Sequence, residues 1–112
     1  HRRRRRRSVP TEGRHAMTRL LDAPRALYDD LHRALGKDTV LLFRIGDFYE
    51  AFWDDADRLA EACSLIRTTR HLRGGRAPMT GVMCGEKNAL LAHALRAGLR
   101  VAVIEPDDGV AP

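Results

Sequence analysis

The chain has 112 residues, room for one domain with a modest core, and its formal net charge is +5. Six of its 20 Lys and Arg residues form the run Arg2 to Arg7, and without them fourteen basic residues face fifteen acidic ones, so overall basicity is weak evidence for a DNA-binding fold. Cys63 and Cys84 form no Cys-x-x-Cys pair, no apolar run reaches the roughly 20 residues of a membrane helix, and the basic start lacks a signal's apolar stretch; the expected setting is the reduced cytoplasm, away from membranes.

Residues 1–16 read as a basic tail, residues 17–106 as the domain and 107–112 as a C-terminal tail. Two readings of the first tail stay open: a basic arm that holds phosphates, or an extension upstream of a start at Met17. Asp22-Ala23-Pro24 predicts a helix start, with Asp22 as cap and Pro24 in the first turn, where its missing N–H is harmless. Leu27, Leu31 and Leu35, with Ala34 beside them, predict its apolar face, and Gly36 ends it. A hairpin of about 39–45 and 48–53 follows. Asp54 or Asp55 caps a second helix that buries Ala56, Leu59, Ala60 and Cys63. A short strand is expected over 65–69, a Gly-rich basic loop from Arg70 to Ala77, and a strand from Met79 to Met83. Gly85 to Ala97 predicts a third helix with Leu91 and Leu95 inward, stopped by Gly98, and Arg100 to Ile104 the last strand. The fold class is α/β: a small mixed β-sheet with an initial β-hairpin, flanked by about three helices.

The hairpin carries the most information. Val40 to Ile45 is nearly all apolar, Gly46-Asp47 is a tight-turn signal, and Phe48-Tyr49-Glu50-Ala51-Phe52-Trp53 resumes the apolar run. The side-chain period of a strand puts Phe48, Glu50 and Phe52 on one face and Tyr49, Ala51 and Trp53 on the other. A carboxylate beside aromatic rings next to a turn is an odd pairing for a core; the default for such a Glu is a solvated surface position. The segment Phe43 to Phe52 resembles the N-terminal mismatch-recognition domain of the MutS DNA mismatch repair proteins, in which a Phe-x-Glu motif follows a Gly-Asp turn; Phe48-Tyr49-Glu50 stands in its place. The resemblance runs from about Asp22 to Glu105. It takes in Ala23-Pro24 with the helix carrying Tyr28, then Trp53-Asp54-Asp55-Ala56, Pro78-Met79-Thr80-Gly81-Val82 and Val101-Ala102-Val103-Ile104-Glu105. Departures are Met83-Cys84-Gly85, where the family usually has Pro-Tyr-His, and Pro106 after Glu105, where it has Gln.

The resemblance implies binding to double-stranded DNA with mismatches or unpaired bases, as part of mismatch repair. In the family the ring at Phe48 wedges into the minor groove and stacks on a mispaired base, and the carboxylate at Glu50 hydrogen-bonds the displaced base. Such a carboxylate would also repel the phosphates of intact duplex. Arg70, Arg73 and Arg76, with Arg67, place an arginine every third residue around Gly74-Gly75; they could touch phosphates or simply be solvated. No Gly-x-x-x-x-Gly-Lys-Ser/Thr phosphate loop occurs in these residues, so no enzymatic activity is expected. ATP and magnesium would enter only through an ATPase domain following this one, and no metal or cofactor is expected in the chain itself. An isolated domain of this kind is expected to be a monomer, with other mismatch repair proteins as further partners.

Two rivals remain. One is a degenerate MutS-like module that serves protein interaction or regulation without DNA. The other is a metal-dependent nuclease built on Asp47, Glu50, Asp54, Asp55 and Asp57, although the turn accounts for Asp47 and the helix start for the last three. The five histidines show no ligand spacing, and His93 reads as a surface residue.

Overall fold

A computed structural model of the chain describes residues 18–106, so both tails lie outside the described residues. Five strands form one mixed sheet: β1 (Thr39–Ile45), β2 (Phe48–Phe52), β3 (Thr68–Leu72), β4 (Gly75–Met83) and β5 (Arg100–Ile104), in the spatial order β3-β4-β2-β1-β5. β1 pairs antiparallel with β2 and parallel with β5, while β4 lies antiparallel to both β2 and β3. Helices α1 (Pro24–Leu35), α2 (Trp53–Cys63) and α3 (Lys87–Arg96) cover it, and helical residues 18–22 precede α1.

The unbroken apolar run of β1 is explained by its place: it is an inner strand with a core on both sides. Leu41 and Phe43 join Phe52, Leu27, Tyr28 and Ala77 on the α1 side. Val40 and Leu42 join Tyr49, Ala51, Leu59, Cys63, Leu90 and Ala94 on the side of α2 and α3. Strands buried on both faces lose the alternation that half-buried strands show.

Several expectations need correction. Ala23, not Asp22, precedes α1, and no side chain caps its start. Leu27 is buried, but Leu35 and Ala34 are exposed; Tyr28 takes the inward position instead. α2 begins at Trp53, without a side-chain cap from Asp54 or Asp55. Asp55 turns into the protein, where its Oδ2 accepts from Leu41 N–H at 2.9 Å and pairs with His32 Nε2 at 2.8 Å, and its Oδ1 pairs with Arg58 at 2.8 Å. Three partners offset the cost of burying its charge. Trp53 has left-handed backbone (φ 53°), which turns its ring to the α1 side, against Tyr28, rather than beside Tyr49 and Ala51. The expected strand 65–69 is shifted to Thr68–Leu72, and the expected basic loop from Arg70 to Ala77 is a tight hairpin. β3 turns at Arg73-Gly74, and the positive φ of Gly74 and Gly75 (98° and 138°) makes the reversal. The third helix opens with a 3₁₀ turn, Cys84–Glu86, and points Leu90 and Ala94 inward, leaving Leu95 exposed.

Candidate nucleic-acid interface

The β1–β2 turn is Gly46-Asp47, with Ile45 paired to Phe48. Positive φ falls on Gly46 (60°) and not on Asp47, the pattern of a hairpin turn with glycine in the first central position. Cys84 N–H donates to Asp47 C=O at 2.8 Å, which ties the end of β4 to this turn. Across the tip, Ile45, Phe48 and Met83 therefore stand in one cross-strand row on one face. Phe48 belongs to neither core. Its residue is 45% exposed, and among the described residues it is the one aromatic left on the surface; Met83 beside it is exposed too.

Glu50 lies two residues along the same face but is only 4% exposed, so it is not the solvated surface carboxylate that is the default for such a position. Arg70 takes both of its oxygens: Nε donates to Oε1 at 2.6 Å and Nη2 to Oε2 at 2.9 Å. This is the bidentate fork in which guanidinium and carboxylate match best. The bond to Glu50 pushes the Arg70 pKa further above its already high ordinary value. Arg70 stands on β3 and Glu50 on β2, so the guanidinium must pass over β4. Arg70 pairs with Ala77 and Glu50 with Gly81, so the fork reaches diagonally across β4. A Cβ at Gly81 would come within 2.5 Å of Tyr49 O and 3.1 Å of Glu50 Cγ, so a side chain here would push into the strand that carries Glu50.

The other arginines are not brought to this site. Arg73 sits at the β3–β4 turn, 3.9 Å from the Asp22 carboxylate, and Arg76 donates to Thr69 Oγ1 at 2.9 Å. β4 runs from that turn to Met83, so Arg76 and the Phe48 end of the sheet are about 23 Å apart along the strand. Arg67 pairs with Asp57.

Two cations that the sequence reading did not single out do stand near the tip, on the opposite face. The Arg44 guanidinium lies 5.6 Å and the Lys87 ammonium 5.3 Å from the Tyr49 ring centre. The Tyr49 hydroxyl donates to Glu105 Oε2 at 2.6 Å; burial, then this bond, raises its pKa. One signal for Arg44 was available, as the single charge in the apolar run 40–45. Lys87 comes from a distant helix and had none.

Of the remaining acidic candidates, Asp47 sits in the β1–β2 turn, while Asp54, Asp55 and Asp57 line a separate cleft. That cleft, of about 720 Å³ and lined also by Tyr28, His32 and Arg58, opens at the Thr39 end of β1, away from Phe48. Its one deeply buried carboxylate, Asp55, is the group already held by His32 and Arg58. Among the described residues no group of three or more His, Cys, Asp or Glu side chains is placed to hold a metal ion. Nor is any described helix long and apolar enough to cross a membrane.

A family model described as MutS domain I matches residues 27–110, which include every strand of the sheet and both Phe48 and Glu50. The "DNA mismatch repair protein MutS" of Halothermothrix orenii is 46% identical over 70 residues, covering 62% of this chain and 8% of that protein. Its counterpart in Petrotoga mobilis is 41% identical over 69 residues, again covering 62% and 8%. That of Thermus thermophilus is 40% identical over 68 residues, covering 61% and 8%. The match thus spans a small part of each relative's length, but most of the present fold. On the strength of the domain match, the chain belongs to the MutS domain I family.

Proposed function

We propose that this chain binds DNA at mismatched or unpaired bases in mismatch repair, without catalysis of its own. Phe48 is the wedge. The observation that carries the reading is the half-exposed ring at a hairpin tip whose neighbouring aromatic, Phe52, is fully buried. Insertion of an apolar side chain unstacks a base step at a cost of a few kcal/mol, offset by stacking and by the bend it permits. A mispaired step has lost pairing already and deforms more cheaply, so selection rests on deformability more than on base edges.

Glu50 is the polar partner of the displaced base, with Arg70 holding its carboxylate ready. Arg44 and Lys87 supply cations to the phosphates beside the kink, and Arg73 and Arg76, at the far end of the sheet, to flanking duplex. Phosphate contacts of this kind position the protein without reading sequence. The partner is double-stranded DNA, engaged by a monomer. Binding titrations of one duplex with and without a single mismatch test the reading. Preference for the mismatch supports it; equal binding, or none, favours the interaction module that has kept the fold and lost the DNA.

A further inference from the structure

We propose that Arg70 is a specificity-determining residue: Glu50 withholds its guanidinium from phosphates until a displaced base takes over the carboxylate. The inference rests on the wedge reading above and adds a second partner to each member of the pair. In the free protein the two charges cancel locally. Both Glu50 oxygens are occupied by Arg70, and the carboxylate is almost wholly buried. A carboxylate so covered repels phosphates weakly, because its own counterion lies between it and solvent. The side chain of Arg70, by contrast, is 36% exposed against 5% for Glu50. A guanidinium has five N–H donors in a fixed fork, and Glu50 engages two of the three nitrogens that carry them.

Consider a flipped or mispaired base that offers an N–H to Oε2. It competes directly with Nη2 of Arg70 for that oxygen. A guanidinium released on that side can turn outward from β3 to a phosphate oxygen. Base recognition at Glu50 would then add a phosphate contact, which intact duplex, offering no free base, would not obtain. Discrimination would therefore come partly from a cation held back on paired DNA. Gly81 helps to keep Glu50 in place, since any side chain there would push against the strand that carries it.

The idea separates from simple repulsion by a double-mutant cycle on perfectly paired duplex. If Glu50 acts through Arg70, Glu50→Ala frees a cation and tightens homoduplex binding by about tenfold, the scale of a charge-assisted hydrogen bond. The log–log salt slope should steepen by about 0.9, the signature of one more phosphate neutralised. In an Arg70→Gln background the same Glu50→Ala change should do neither. Arg70→Lys, which keeps the charge but loses the bidentate grip, should bind homoduplex more tightly than the parent chain. Circular dichroism of each variant confirms that the fold is retained, and Glu50→Gln, which leaves no cavity, replaces Glu50→Ala should the latter unfold. Persistence of the Glu50→Ala gain without Arg70 would overturn the proposal, because direct repulsion would then suffice. The cycle is read on paired DNA only, so its failure leaves the wedge reading standing on its own test.

Discussion

Replacing Phe48 with Ala separates a functional ring from a core ring. Full burial of a Phe side chain contributes about 1.5–3 kcal/mol. Phe48 retains 45% of its exposure, so its truncation should cost the fold only about 1 kcal/mol. Phe52, on the same face and 0% exposed, should cost about 3–5 kcal/mol when truncated. The two variants therefore bracket what loss of a ring does to the fold. On DNA the order reverses in importance: stacking of a base on an aromatic ring contributes about 1–3 kcal/mol, so Phe48→Ala should lower the mismatch-to-homoduplex ratio by about 5- to 150-fold. Fluorescence anisotropy with labelled duplexes reads the ratio, at low salt so that exposed charge contacts are not screened away. Urea denaturation of both variants reads the fold. An unchanged ratio refutes the wedge. So does a denaturation midpoint that falls as far for Phe48→Ala as for Phe52→Ala, since Phe48 would then be core.

Other outcomes follow from the same geometry. Gly81→Ala should destabilise the sheet by disturbing β2, whereas Gly85→Ala, with open space around it, should be nearly neutral; equal urea midpoints would contradict the close approach. Arg44→Gln and Lys87→Gln should each flatten the salt slope of DNA binding by about 0.9 while leaving the mismatch ratio in place, and an unchanged slope removes them from the interface. Deleting residues 1–16, with their six consecutive arginines, should weaken binding to all duplexes alike and flatten the slope further; if the slope holds, the arm is idle. Burial, and then the Asp55 charge, push the Tyr28 pKa up to about 12. The unfolded chain gives up that proton near about pH 10, so stability from this group is complete below that pH and falls as pH rises toward 12. Urea midpoints across that window should fall less for Tyr28→Phe than for the parent chain, and parallel curves would contradict the assignment.

Local patterns made the hairpin and the last strand readable, because Gly46-Asp47 and the run Arg100 to Ile104 each carry their own signal. The β3–β4 hairpin was hidden by its charge: arginines around Gly74-Gly75 look like a solvated loop, though two adjacent glycines are also a hairpin signal. Leu95 was misplaced because a short helix with apolar residues at 90, 91, 94 and 95 leaves its phase undetermined, and packing of Leu90 and Ala94 decided it. The inward turn of Asp55 and the capture of Glu50 by Arg70 were out of reach. Each depends on a partner from another element, His32 in one case and Arg70 in the other, and nothing in the local sequence announces that pairing. Phe48 and Glu50 could both be singled out from the sequence; the burial of Glu50 under Arg70 could not.

The parallel pairing of β1 with β5 carries a consequence for biosynthesis. Leu41 and Ala102 are partners, yet β2, α2, β3, β4 and α3 all lie between them in the chain. During synthesis β1 emerges early and can pair with β2 at once, but its other side stays unpaired until Ile104 has left the ribosome. An apolar strand with a bare edge is a template for pairing with other chains. Nascent or truncated forms ending before Arg100 should therefore be the aggregation-prone species, and the short last strand acts as a protective cover for the first.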